Sequence, residues 1–162
     1  MLLTILLYIT TGISLLWVAY QDFKERKVYS FLFLISGGLL TSLHISNTNL
    51  IQFLISSGIN LSFIGVLLTI LMLFSKIIFK KSFNQTFGWG DLLFFIVMAL
   101  SFPTITFLVL FSFSLFFSLL VFLLFKSRWN YKTVPLAGLQ ALFVMGVIIL
   151  NKIFSFSNLY MI

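Results

Sequence analysis

The sequence predicts an all-α integral membrane protein, a six-helix transmembrane bundle with both termini outside, and three observations predict it. The chain is 61% hydrophobic and only 8% charged, with a mean hydropathy of +1.19, whereas soluble domains carry about 25% charged residues. Its apolar residues lie in long unbroken runs, not in the alternating segments of about ten residues that mark a membrane barrel. Its basic residues cluster in alternate connections between those runs. Ten basic and three acidic side chains cannot cover an 18.6 kDa globule in water, and so small a body has no interior for 22 phenylalanines. A soluble enzyme is excluded, and so is intrinsic disorder, which requires low hydrophobicity.

A spanning helix needs roughly 20 apolar residues, so 162 residues leave no room for a soluble domain, and residues 1–162 read as a single transmembrane domain. The first run, residues 2–20, ends at Gln21-Asp22-Phe23-Lys24-Glu25-Arg26-Lys27. Its basic cluster follows the apolar run, the reverse of a signal peptide's order, so it is expected to be a retained helix. The second run, 28–45, ends at the turn-forming Ser46-Asn47-Thr48-Asn49. The third covers 50–74 and is followed by Lys76, Lys80 and Lys81. A polar stretch, 82–90, leads to the fourth, 91–102, which Pro103 breaks in a short outer turn. At the helical rise this segment measures about 18 Å, short for a hydrocarbon core of roughly 30 Å. Either residues before Asp91 extend it or Asp91 is recessed. The fifth covers 105–125, and the sixth starts near Pro135, a residue suited to a first helical turn, and ends near 150 or 154.

Nine of the ten basic residues fall in the odd connections: Lys24, Arg26, Lys27, then Lys76, Lys80, Lys81, then Lys126, Arg128, Lys132. Only Lys152 lies on the other side. Lys and Arg are retained on the cytoplasmic side, so these connections should lie inside. The net charge of +7 is therefore read as topological anchoring and headgroup contact with membrane lipid, with no nucleic-acid partner expected. Trp17, Trp89 and Trp129 suit interfacial belts, and Trp89 also suits the wall of a cleft.

Only Asp22, Glu25 and Asp91 are acidic. Asp22 closes the first helix and Asp91 opens the fourth, so the topology sets both at the cytoplasmic face. An ionisable group at the start of Leu92-Leu93-Phe94-Phe95 is costly there and marks a functional site by default. Two carboxylates converging in a low-dielectric cleft suit aspartic-protease chemistry, because like charges at close range share a proton. One then takes a proton from water and the other donates to the scissile carbonyl. Gly88 and Gly90 suit close approach of a substrate chain. The plain alternatives are that Asp91 is a helix N-cap facing headgroups and that Asp22 is an interfacial residue paired with Lys24 or Arg26. Glu25 reads as solvated among its basic neighbours. With no cysteine there is no disulfide, thiolate zinc site or cysteine nucleophile. The single His44 builds no metal site and reads as structural, so neither metal nor cofactor is expected.

Gly88-Trp89-Gly90-Asp91 resembles the GxGD motif of membrane aspartic peptidases. Residues Asp22 to Val28 resemble the first-aspartate segment of type IV prepilin peptidases, of the form D-L-R-x-R-R-I-P-N. Val134-Pro135-Leu136-Ala137-Gly138 loosely resembles their later P-x-x-P-x-L-x-x-G stretch. The likeness covers the whole chain in order and helix count, and is strongest to the short, peptidase-only forms of tight-adherence pilus and archaeal preflagellin systems. It implies Asp22 and Asp91 as the catalytic pair, Gly88 and Gly90 as motif support, and Arg26, Lys27 and Trp89 as contacts to substrate or headgroups. It implies an enzyme of the cytoplasmic membrane serving type IV pilus assembly or protein secretion. The partner would be the leader helix of a prepilin or pseudopilin. Two positions differ: Tyr29-Ser30 replaces the usual Pro-Asn, and Leu93 replaces a frequent Lys. The Cys-rich segment of the bifunctional forms has no counterpart, so N-methyltransferase activity is not expected. The rival expectations are a GxGD protease with another substrate and a small proton-coupled carrier or channel using the two aspartates as relays.

Overall fold

The computed structural model describes residues 2–77, 88–125, 134–154 and 159–160. Among these residues there are six α-helices and no strand: α1 (Leu2–Glu25), α2 (Ser30–Asn47), α3 (Leu50–Ile77), α4 (Trp89–Ser101), α5 (Thr104–Phe125) and α6 (Leu136–Phe154). Five are long and apolar enough to cross a membrane, and α4 is not. The outward faces are covered by large apolar side chains such as Leu34, Ile51, Leu73 and Leu124, which only lipid can solvate at such density. The chain is a multi-pass membrane protein.

The arrangement accounts for the short fourth segment. The five long helices close a ring in which α1 touches α2, α2 touches α3, α3 touches α5, α5 touches α6, and α6 returns to α1. Helix α4 stands inside that ring, against α2, α3, α5 and α6. A helix that is apolar all round belongs in an interior, and Phe94, Phe95, Val97, Met98 and Ala99 of α4 are buried. Only two residues precede Asp91 in α4, so its 13 residues cover about 20 Å. The shortness is met by enclosure, not by extension. Phe94, Met98 and Phe102 are fully buried.

Enclosure buries the end of α4. Asn60 lies ten residues into α3, about 15 Å from that helix's start, yet its Nδ2 donates to the carbonyls of Ala99 and Phe102, each at 2.9 Å. His44 of α2 bonds the Leu100 carbonyl through Nδ1 at 2.9 Å. Its ring also stacks on Tyr160 and meets Phe53 edge-on. The last carbonyls of any helix lack partners within the helix, and inside a bundle only neighbouring side chains can supply them. His44 therefore helps close the end of α4, and the turn at Phe102-Pro103 that follows it is buried. Between α5 and α6 a similar polar contact joins Gln140 Nε2 to Ser114 Oγ at 3.2 Å, both side chains fully buried.

Helix limits move by small amounts from those expected, with one consequence. The first helix continues through Gln21 to Glu25, which sets Asp22 within its last turns. It stops at Arg26, which has φ 55° and is the one non-glycine residue with positive φ among the described residues. Gln21 Oε1 accepts from the Tyr29 amide at 3.2 Å, tying the end of α1 to the start of α2.

Candidate active site

Three helix ends meet at one end of the bundle: the C-terminus of α1 and the N-termini of α4 and α6. Asp22 follows Val18 and Ala19 along the inward face of α1 at the helical spacing of three and four residues, so its side chain turns inward and is only 8% exposed. Asp91 sits in the first turn of α4, behind Gly88 at the N-cap, and is half-buried.

Helix α6 receives both. The Gly138 amide donates to Asp22 Oδ2 at 2.7 Å, and the Ala137 amide donates to Asp91 Oδ1 at 3.0 Å. These amides belong to the first turn of α6, whose N–H groups have no partner within the helix and whose dipole favours negative charge. Two carboxylates 69 positions apart in sequence thus share one helix N-terminus. With one residue of backbone between the two amides, the bound oxygens lie within about 10 Å of each other.

Glycine makes room for each carboxylate. A Cβ at Gly138 would stand 2.9 Å from Asp22 Cβ and 3.1 Å from Oδ2, and one at Gly88 would stand 3.0 Å from Asp91 Oδ2. At Gly90 the nearest neighbour of an added Cβ would be the Phe33 ring of α2. This glycine allows packing of α4 on α2 and does not touch a carboxylate. Trp89 is 64% exposed, turned to the surroundings of the bundle. Lys24 and Lys27 are exposed, Arg26 is half-buried, and its amide bonds the Asp22 carbonyl at 3.2 Å. Lys24 lies over the Tyr20 ring at 5.5 Å. Both carboxyl groups accept from amides of α6, and Arg26, one of the two partners expected for Asp22, also attracts its carboxylate electrostatically. Residues 82–87, Lys80, Lys81, Lys126, Arg128, Trp129 and Lys132 lie outside the described residues.

Reading the sequence picked out the two acids and Gly88 but gave Ala137 and Gly138 only a loose likeness to a motif. The missed signal was the Pro135 start of α6: an apolar helix beginning at a buried end, with Leu136-Ala137-Gly138 and no capping side chain of its own, must borrow its cap. Among the described residues no group of three or more His, Asp or Glu side chains is placed to hold a metal ion. In comparison with known proteins, no family model, no curated sequence and no solved structure matches this chain.

Proposed function

We propose that the chain is a membrane aspartic endopeptidase of the prepilin-peptidase kind, cleaving the leader of a pilin-like substrate at the cytoplasmic face. The observation that carries this reading is the convergence of Asp22 and Asp91 on the adjacent amides of Gly138 and Ala137. Two of the three acidic residues in the chain meet at one end of an otherwise apolar bundle, with glycines clearing space beside each. That is an expensive arrangement for a membrane interior, and paired carboxylates are what acid–base hydrolysis of a peptide requires.

In this reading one carboxyl is ionised and its partner protonated. The ionised one takes a proton from a water molecule as the water oxygen bonds to the scissile carbonyl carbon. The protonated one gives its proton to the carbonyl oxygen, forming a gem-diol. The C–N bond then breaks as the amine nitrogen takes a proton from the first carboxyl and a diol hydroxyl returns its proton to the second. Water is consumed, the pair is restored, and no cofactor takes part. General acid–base help of this kind is worth about 10²–10⁴-fold. The basic Lys24, Arg26 and Lys27 beside the site set its side of the membrane in this reading, through the retention of Lys and Arg inside.

A carrier or channel is served less well by the same features. Phe94 and Met98 of α4, with Phe102 just past its end, are fully buried, and Asp22 and Asp91 both lie at one end of the bundle.

The test is co-expression with pilin-like proteins from the same genome, followed by detection of leader removal. Cleavage by the wild-type chain, lost in Asp22→Asn and in Asp91→Asn, supports the reading. No cleavage of any such substrate, or cleavage retained by either variant, sinks it.

A further inference from the structure

We propose that Gly138 is the positioning residue of the pair: by lacking a side chain it lets the first turn of α6 seat against α1, so that its amide holds the Asp22 carboxylate in register with Asp91. The inference rests on the peptidase reading and adds what sets the geometry of the pair.

The argument comes from what a single methyl group would meet. At Gly138 it would crowd three atoms of α1: Asp22 Cβ at 2.9 Å, Asp22 Oδ2 at 3.1 Å and the Ala19 carbonyl oxygen at 3.3 Å. The Ala19 oxygen is backbone and the Asp22 Cβ is fixed to backbone, so neither can swing away as the tip of a long side chain could. Either α6 backs off α1 or Asp22 turns out of its place. Both lengthen the 2.7 Å bond from the Gly138 amide. The tie between the Ala137 amide and Asp91 is not touched by that methyl group. The first clash therefore falls at Asp22, and either response alters its placement relative to Asp91. Other glycines on the same two helices lack this property: a Cβ at Gly12 of α1 or Gly146 of α6 would meet nothing within 4 Å. Of these three glycines, only Gly138 leaves no room for a methyl group.

The experiment measures kcat, KM and the pH–rate profile of the full-length chain in proteoliposomes, using a synthetic peptide of a basic leader joined to an apolar segment. Gly138→Ala is compared with Gly12→Ala and Gly146→Ala, and rates are taken per folded molecule. A misplacement of about 1 Å costs about 10²-fold in rate. The expected result for Gly138→Ala is a loss of that order in kcat, with KM within about twofold and displaced limbs of the pH profile. Gly12→Ala and Gly146→Ala should match the wild type. If Gly138 only packs α6 on α1, Gly138→Ala lowers thermal stability while kcat per folded molecule and the pH profile stay unchanged, and the proposal is overturned. Should Gly138→Ala not accumulate, Asp22→Glu moves the carboxyl off the same amide by one methylene while keeping Gly138. Its kcat should fall likewise, and a wild-type kcat there overturns the proposal too. Loss of cleavage in Asp22→Asn alongside an unaffected Gly138→Ala removes only the positioning role. Cleavage retained in Asp22→Asn removes the peptidase reading itself.

Discussion

Asparagine caps a helix N-terminus about as well as aspartate does, and alanine does not. That difference separates the two tasks of the acids, which both satisfy the first turn of α6 and, as proposed, move protons. Asp22→Asn and Asp91→Asn keep an oxygen for the amide, so each should insert and unfold within a few tenths of a kcal/mol of the wild type. Each should nevertheless abolish cleavage, because an amide cannot exchange the required proton. Asp22→Ala should lose both, with stability falling by about 0.5–2 kcal/mol. Thermal unfolding in detergent beside the cleavage assay checks this. If Asp22→Asn destabilised the fold as much as Asp22→Ala, its inactivity would say nothing about proton transfer.

Helices that begin or end inside the bundle determine where this chain must spend its polar side chains. The N-terminus of α6 takes Asp22 and Asp91, and the C-terminus of α4 takes Asn60 and His44. A buried carbonyl left without a donor costs about 1–3 kcal/mol. Asn60→Leu bares the carbonyls of Ala99 and Phe102, and should lower stability by about that amount or somewhat more. His44→Phe bares only that of Leu100 and keeps a ring against Tyr160 and Phe53, so its effect should be smaller. Both variants lie at the far end of α4 from Asp91, and cleavage per folded molecule should be unchanged in each. A pH–rate profile altered by His44→Phe would assign a base outside the aspartate pair.

At the scale of the molecule the proposed reading requires one side of the membrane and one kind of chemistry for the site. Lys24, Arg26, Lys27 and Lys76 lie at the Asp22 end, while Lys152 sits at the other, over the Tyr8 ring at 5.2 Å. In the cysteine-free chain, Asn47→Cys should react with a membrane-impermeant thiol reagent applied outside, and Ser30→Cys should not. The reverse pattern would put the aspartates on the outer face, against the proposed cleavage. Activity should follow a bell-shaped pH profile whose limbs belong to the coupled pair and not to either residue. With one histidine and no cysteine in the chain, EDTA and serine- or cysteine-directed reagents should leave the rate intact. Loss in EDTA that zinc restores would remove the aspartic mechanism.

Hydrophobicity and charge are properties of single residues summed along a chain, and for that reason the membrane class, the helix order and the choice of Asp22 and Asp91 as candidate residues are legible without coordinates. An ionisable residue beside Leu92-Leu93-Phe94-Phe95 stands out in any reading. What could not be read was which helix occupies the middle. Enclosure of α4 depends on how six apolar surfaces divide contact among themselves, and apolar runs such as Phe94-Phe95 and Phe116-Phe117 look alike whether they meet lipid or protein. The same limit hid Asn60, His44 and Gly138. Their roles lie in partners 39, 56 and 116 positions away. Only the packing of α3 and α2 on α4, and of α6 on α1, decides that an amide, an imidazole and a missing methyl group stand where a helix end or a carboxylate needs them.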